Sequence, residues 1–205
     1  MNYDKEMEKL IAGLDHVPTL LLHTCCAPCS SAVIERLKNH FHITVLYYNP
    51  NIEPYEEYEK RKKEQKRFLS EIESVNGIDM VDADYDNDRY RSLVSGHESD
   101  AERGIRCHIC YENRIKYTFT KAKELGYEYF GTTLSVSPYK VSAWINEIGL
   151  SLETDEVKFL VADFKKQNGY KRSIELSREH DLYRQDYCGC VFSKEERRKD
   201  KAIVI

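Results

Sequence analysis

Val17-Pro18-Thr19-Leu20-Leu21-Leu22-His23-Thr24-Cys25-Cys26-Ala27-Pro28-Cys29 is the stretch on which the fold turns. Residues 17–23 are a short apolar run with a proline near the start, the pattern of a buried strand. Three cysteines follow within five residues. Beyond them Pro28 suits the first turn of a helix, where no backbone donor is required. Ala32, Val33 and Leu37 then recur at helical spacing. The cysteines are therefore expected where a strand turns into a helix.

The same alternation runs outward from this segment. Residues 43–48 are β-branched and aromatic and stop at Asn49-Pro50-Asn51, a turn signal. Residues 54–75 read as a long charged helix and 78–85 as a third strand, with a helical turn expected at 87–94. A helix is expected over 107–126, with Gly126 as its stop. Strands over 127–134 and 159–164 alternate with helices over 141–148 and 171–182, and a charged stretch over 194–201 closes the chain. Strands alternating with amphipathic helices predict an α/β fold with a parallel, doubly wound sheet, here as one domain over residues 1–205. Ligands of such sheets bind beyond the carboxyl ends of the strands, which is where the first cysteines fall.

Composition narrows the function classes. The chain is 41% hydrophobic and 32% charged, ordinary for a globular protein and too apolar for a disordered one. No stretch approaches the roughly 18 uninterrupted apolar residues of a membrane span. Residues 1–15 mix acids and lysines without an apolar core, so no secretory signal is read there and a cytoplasmic protein is expected. In a reducing compartment the seven cysteines point to metal or redox chemistry rather than structural disulfides. The net charge of −4 gives no global case for nucleic acid. Neither Gly-x-Gly-x-x-Gly nor Gly-Lys-Ser/Thr occurs after the first strand, which argues against nicotinamide and nucleotide phosphates.

Thiolates are soft ligands suited to zinc and to iron–sulfur clusters. Neither Cys25-Cys26 nor Cys107-x-x-Cys110 completes a four-sulfur shell, but the two pairs brought together would. Cys107 and Cys110 lie one helical turn apart, so both sulfurs can face one way, and Arg114 falls on the next turn. A disulfide between the adjacent Cys25 and Cys26 would be strained. Ligand count leaves zinc and iron both open. Cys188-Gly189-Cys190 reads as a redox pair, since a disulfide across one residue is strained and labile; two further metal ligands or a tight turn are the alternatives. Basic residues at 60–67, at Arg103 and Arg106, at 165–172 and at 197–199, interleaved with seven tyrosines that include Tyr139 and Tyr170, would suit a surface that grips phosphates and stacks bases. His23 reads as a satisfied core residue or a neighbour of the metal, and Asp163 as a cap or an active-site acid.

Five segments together resemble the epoxyqueuosine reductase family QueH over about residues 19–193: His23-Thr24-Cys25-Cys26-Ala27-Pro28-Cys29, Tyr48-Asn49-Pro50-Asn51-Ile52, Arg106-Cys107-His108-Ile109-Cys110-Tyr111, residues 132–139 and residues 183–190. The resemblance implies a Rossmann-like sheet similar to that of the nucleotide alpha-hydrolases, with a cysteine-bearing helical insertion. It implies reduction of epoxyqueuosine at the tRNA wobble position to queuosine, the last step of that nucleoside's biosynthesis, without cobalamin. It further implies a [4Fe-4S] cluster on Cys25, Cys26, Cys107 and Cys110, a redox-active disulfide of Cys188 and Cys190, and an external electron donor. An additional iron would give Cys29 a task. Some relatives carry an acid where this chain has Pro28, so a carboxylate co-ligand would have to come from elsewhere.

Overall fold

The leucines of β1 (Thr19–His23) divide between two faces: Leu20 and Leu22 enter one core and Leu21 the other. A strand buried on both sides needs helices on both sides. That is what the computed structural model, which describes residues 1–203, contains. Five parallel strands run in the order β3-β2-β1-β4-β5, with β2 at His42–Tyr47, β3 at Ile78–Asp82, β4 at Tyr129–Thr132 and β5 at Lys158–Phe159. On one face α1 (Tyr3–Ala12), α2 (Ala27–Leu37) and α3 (Tyr55–Glu71) cover Leu20, Leu22, Ile43 and Val45, and α7 (Gly169–Glu179) packs on α2. On the other, α5 (Ile105–Leu125) and α6 (Ser142–Leu152) cover Leu21, Leu46 and Phe130. Two helices, α4 (Asn87–Leu93) and α5, stand between β3 and β4, and α8 (Val191–Ile203) follows the last cysteines. The α/β, doubly wound expectation holds, and the cysteine-bearing insertion is the start of α5.

Several boundaries differ from the sequence reading for identifiable reasons. The strand expected over 159–164 ends at Phe159 because Asn146 of α6 takes both backbone groups of Ala162, receiving its N–H at 2.9 Å and donating to its carbonyl at 2.9 Å. Side-chain capture replaces the ladder there. The helix expected to reach Val75 stops at Glu71, where Ile72 turns extended. The third strand stops at Asp82 rather than Tyr85. Residues 1–15, where the sequence shows only the absence of a signal, contain α1, capped by Asn2 and tied to α2 by the Arg36–Asp4 ion pair at 2.7 Å. The stop at Gly126 is confirmed by its left-handed φ of 74°. No described helix is long and apolar enough to cross a membrane.

Candidate metal and redox centre

Parallel register brings the ends of β1, β2 and β4 together, and β1 is tied there by His23. Its Nε2 donates to the Tyr48 carbonyl at 3.0 Å, which leaves Nδ1 to accept from Thr132 Oγ1 at 2.9 Å. Both ring nitrogens are thus used in packing, and burial pushes the imidazole down to about 3. His23 is a satisfied core residue. Just past it the chain bends, and Cys26 in extended conformation starts α2. No side chain caps that start, so the thiols are free to converge: the sulfurs of Cys25, Cys26 and Cys29 all lie within 4.8 Å of one another. Cys25 and Cys26 are 3.8 Å apart at sulfur. Burial opposes ionisation of Cys26. Hydrogen bonds from Cys25 and Cys29, the Arg61 charge and the Gln185 amide at 2.9 Å outweigh it and hold Cys26 well below the usual thiol range. Cys25 is pushed up to about 11, chiefly by its hydrogen bond to Cys26, and Cys29 is pushed well up by its neighbours. One proton-poor sulfur between two proton-rich ones is a nest suited to a soft cation.

Cys107 and Cys110 sit on the first turns of α5, both buried, and burial raises both thiols. The third group is held by backbone contacts. Arg61 of α3 donates to the carbonyls of Cys188 at 3.1 Å and Tyr187 at 3.4 Å. Gly189 accepts from Glu53 N at 2.9 Å, and Ser193 of α8 accepts from Cys188 N at 3.0 Å. Gly189 has φ 131°, and a Cβ there would meet Ile52 at 2.9 Å, so only glycine fits this corner. Cys188 faces the Lys140 ammonium at 2.9 Å.

Two adjoining cavities gather these groups. The larger, about 130 Å³, is lined by Cys25, Cys29 and Cys188; the smaller, about 10 Å³, by Cys107, Cys110, Cys188 and Cys190. Cys188, Arg114 and Lys140 belong to both. The tightest thiol group among the described residues is therefore Cys25, Cys26 and Cys29. Cys107 and Cys110 line the smaller cavity with the 188–190 pair, and Arg114 lines both cavities.

Four buried cations surround these seven sulfurs, and sequence reading missed most of that role. Arg61 and Arg106, taken from the sequence as surface charge, are each only 1% exposed. Arg61 pairs with Glu57 at 2.7 Å, Arg106 with Glu196 at 3.2 Å and Lys140 with Glu102 at 3.6 Å. Arg114 pairs with no described carboxylate; its Nε donates to the Cys110 carbonyl at 3.2 Å and its Nη2 has no acceptor. Its spacing from Cys107 and Cys110 was the one available signal. For Lys140 and Gln185 no signal in spacing or composition existed. Asp163, the other open residue, accepts from the Ser142 hydroxyl at the start of α6 at 2.9 Å and pairs with Lys165 at 3.0 Å, so its carboxylate is engaged by side chains and caps no helix.

A buried, unpaired guanidinium costs several kcal/mol unless negative charge stands nearby. An anionic thiolate-bound metal centre supplies such charge, so donor set and surroundings fit a bound metal. The family model described as epoxyqueuosine reductase QueH matches residues 20–196. Proteins named epoxyqueuosine reductase QueH are similar along most of the chain. That of Streptococcus pyogenes is 40% identical over 199 residues, 94% of this chain and 78% of its own. That of Staphylococcus epidermidis is 38% identical over 201 residues, 94% of this chain and 84% of its own. That of Thermotoga maritima is 35% identical over 193 residues, 91% and 95% respectively. With the sheet, the cysteine corner after β1 and the second pair on α5 all falling within the matched span, the chain belongs to the epoxyqueuosine reductase QueH family.

Proposed function

We propose that this protein reduces the epoxide of epoxyqueuosine in tRNA to the alkene of queuosine, a reading supported by its relatives' name, epoxyqueuosine reductase. The observation that carries the reading is the convergence of six thiols and the buried cations Arg106, Arg114 and Lys140 on two adjoining cavities beyond the sheet's carboxyl edge, with Cys26 and Arg61 packed directly behind them. Cys25, Cys26, Cys107 and Cys110 would hold a [4Fe-4S] cluster, with Cys29, which shares a nest with two of them, free for an additional iron. Bound there, iron would supply one-electron transfer and a Lewis acid.

The remaining chemistry belongs to the chain. Removing the oxygen needs two electrons and two protons, and breaks two C–O bonds as water leaves. A Cys188/Cys190 dithiol closing to a disulfide releases that number of each, and an external donor of two electrons and two protons would reopen it. Cys188 faces the larger cavity while Cys190 is buried behind it, so one thiol reaches the substrate and the other completes the pair. Lys140, its charge held well above the usual range by Cys188 against burial, places a cation where oxygen would gain negative charge. Arg114 lines the same wall.

Anaerobically purified protein should contain iron and sulfide and convert epoxyqueuosine-bearing tRNA when given a reductant, followed by nucleoside mass spectrometry. Cys188→Ser and Cys190→Ser should stop turnover and keep the iron, whereas Cys25→Ala should lose both. Stoichiometric zinc, with no conversion, would overturn the reading.

A further inference from the structure

Resting on the reductase reading, the geometry points to Tyr139 and Tyr170 as a pair of stacking platforms at the mouth of the larger cavity. They would hold the unpaired nucleotides beside the reacting base, with Arg184 and Arg197 on the adjoining phosphates. Three aromatic side chains among the described residues are exposed, Tyr55, Tyr139 and Tyr170, and two of the three line this cavity. Tyr139 is 47% exposed and Tyr170 is 37% exposed. Tyrosine, apolar in its ring and polar at its hydroxyl, is enriched where a protein meets a ligand or partner, and two such rings gathered at one cavity mouth fit that use.

Both rings stand on fixed backbone. Tyr139 follows Pro138 in a turn where its N–H bonds Ser137 Oγ at 3.3 Å, and the Arg197 guanidinium lies 4.6 Å from its ring centre. Tyr170 is on the first turn of α7. The residue before it, Gly169, packs so closely on the Phe164 carbonyl that a Cβ would come within 1.9 Å, which locks the start of that helix. Rings mounted this way are ready before a ligand arrives, and so lose little freedom on binding.

Charge at this mouth is opposite to that of the whole molecule. Arg114, Lys140, Arg184 and Arg197 line the cavity against Glu102 and Asp186, in a protein of net charge −4. Glu102 is already engaged by Lys140 at 3.6 Å and Arg197 at 3.9 Å. A cationic rim with two rigid aromatic faces fits unpaired RNA better than duplex, whose bases offer no free face.

The test uses a labelled RNA hairpin with an anticodon-type loop lacking the modified base, and a blunt duplex of the same stem. Tyr139→Ala and Tyr170→Ala should each weaken hairpin binding about five- to a hundred-fold and leave duplex binding unchanged. Tyr139→Phe and Tyr170→Phe should bind as the parent does, because stacking needs the ring and not the hydroxyl. Tyr55→Ala should change nothing, and Arg184→Met should lower the salt slope by about one. Parental hairpin affinity in both alanine variants, or equal losses on hairpin and duplex, would overturn the assignment. The two readings fail separately. Tyrosine-dependent hairpin binding without conversion of tRNA would sink the reductase alone, whereas conversion with tyrosine-independent binding would sink only this inference.

Discussion

At the scale of single residues, the centre is defined by where buried charge is placed. Lys140 has its nitrogen 2.9 Å from Cys188 in a pocket where the side chain is 7% exposed. Lys140→Met keeps the volume and removes the charge. It should lower the conversion rate about ten- to a hundred-fold, the effect of losing one hydrogen bond to a charged group, with melting temperature little changed. His23 gives a pH dependence of definite sign. Its folded value near 3 lies below the ordinary 6.5, so between these the unfolded chain binds the extra proton. His23's contribution is complete above pH 6.5 and is lost as pH falls, by up to about 1.4 kcal/mol per unit. Melting temperature should fall more steeply below pH 6.5 in the parent than in His23→Asn. Equal slopes would show that the imidazole is not held neutral. Gly189→Ala forces a side chain onto Ile52 at a φ of 131° and should cost about 1–3 kcal/mol of stability, read from denaturant midpoints.

Among the elements, β5 and α6 carry the clearest lesson about what a sequence can reveal. Short runs of leucine, β-branched or aromatic residues identified β1, β2 and β4, because strands buried on both faces must read as apolar throughout. Residues 159–164 carry the same signal, yet only Lys158–Phe159 pairs, since Asn146 lies opposite Ala162 and no pattern in either segment announces that meeting. Asn146→Ala leaves two buried backbone groups without partners. It should destabilise the fold by about 2–5 kcal/mol, measured by urea unfolding. Loss below about 0.5 kcal/mol would mean that Ala162 finds other partners. The candidate site divides in the same way. Thiol spacing and the position of the first cysteines after β1 were legible, because ligands must sit on one turn or one face. Arg61 and Arg106 were misread as surface charge because burial of a cation is decided by distant elements, here the 187–188 carbonyls and Glu196 of α8.

On the scale of the whole molecule, three chain segments far apart in sequence meet at one place. The start of α2, the start of α5 and the corner at 188–190 are joined through Arg114, Lys140 and the two cavities. β1 pairs with β4 across about a hundred residues, so the platform that presents these thiols depends on long-range closure. If bound metal neutralises the cationic surroundings, removing it should destabilise the entire fold and not one loop. Chelation under anaerobic conditions should lower the melting temperature of the parent by several degrees. Cys25→Ala, if Cys25 is one of the metal's ligands, should respond much less to the same treatment. A parent protein whose melting is indifferent to chelation would place the charge compensation elsewhere.

Order of synthesis adds a consequence to the anchoring of Cys188 by Arg61. Cys25, Cys26, Cys29, Cys107 and Cys110 all leave the ribosome well before the 188–190 corner and α8. A nascent chain reaching only to α7 therefore presents five thiols on a nest still open on one side. Once Arg61 has drawn in the carbonyls of Tyr187 and Cys188, that side is shut. Any metal these thiols take up would then have to enter before that side shuts or through the larger cavity, and thiol labelling of released chains truncated before and after the 188–190 corner should reveal the closing step as a sudden loss of reactivity.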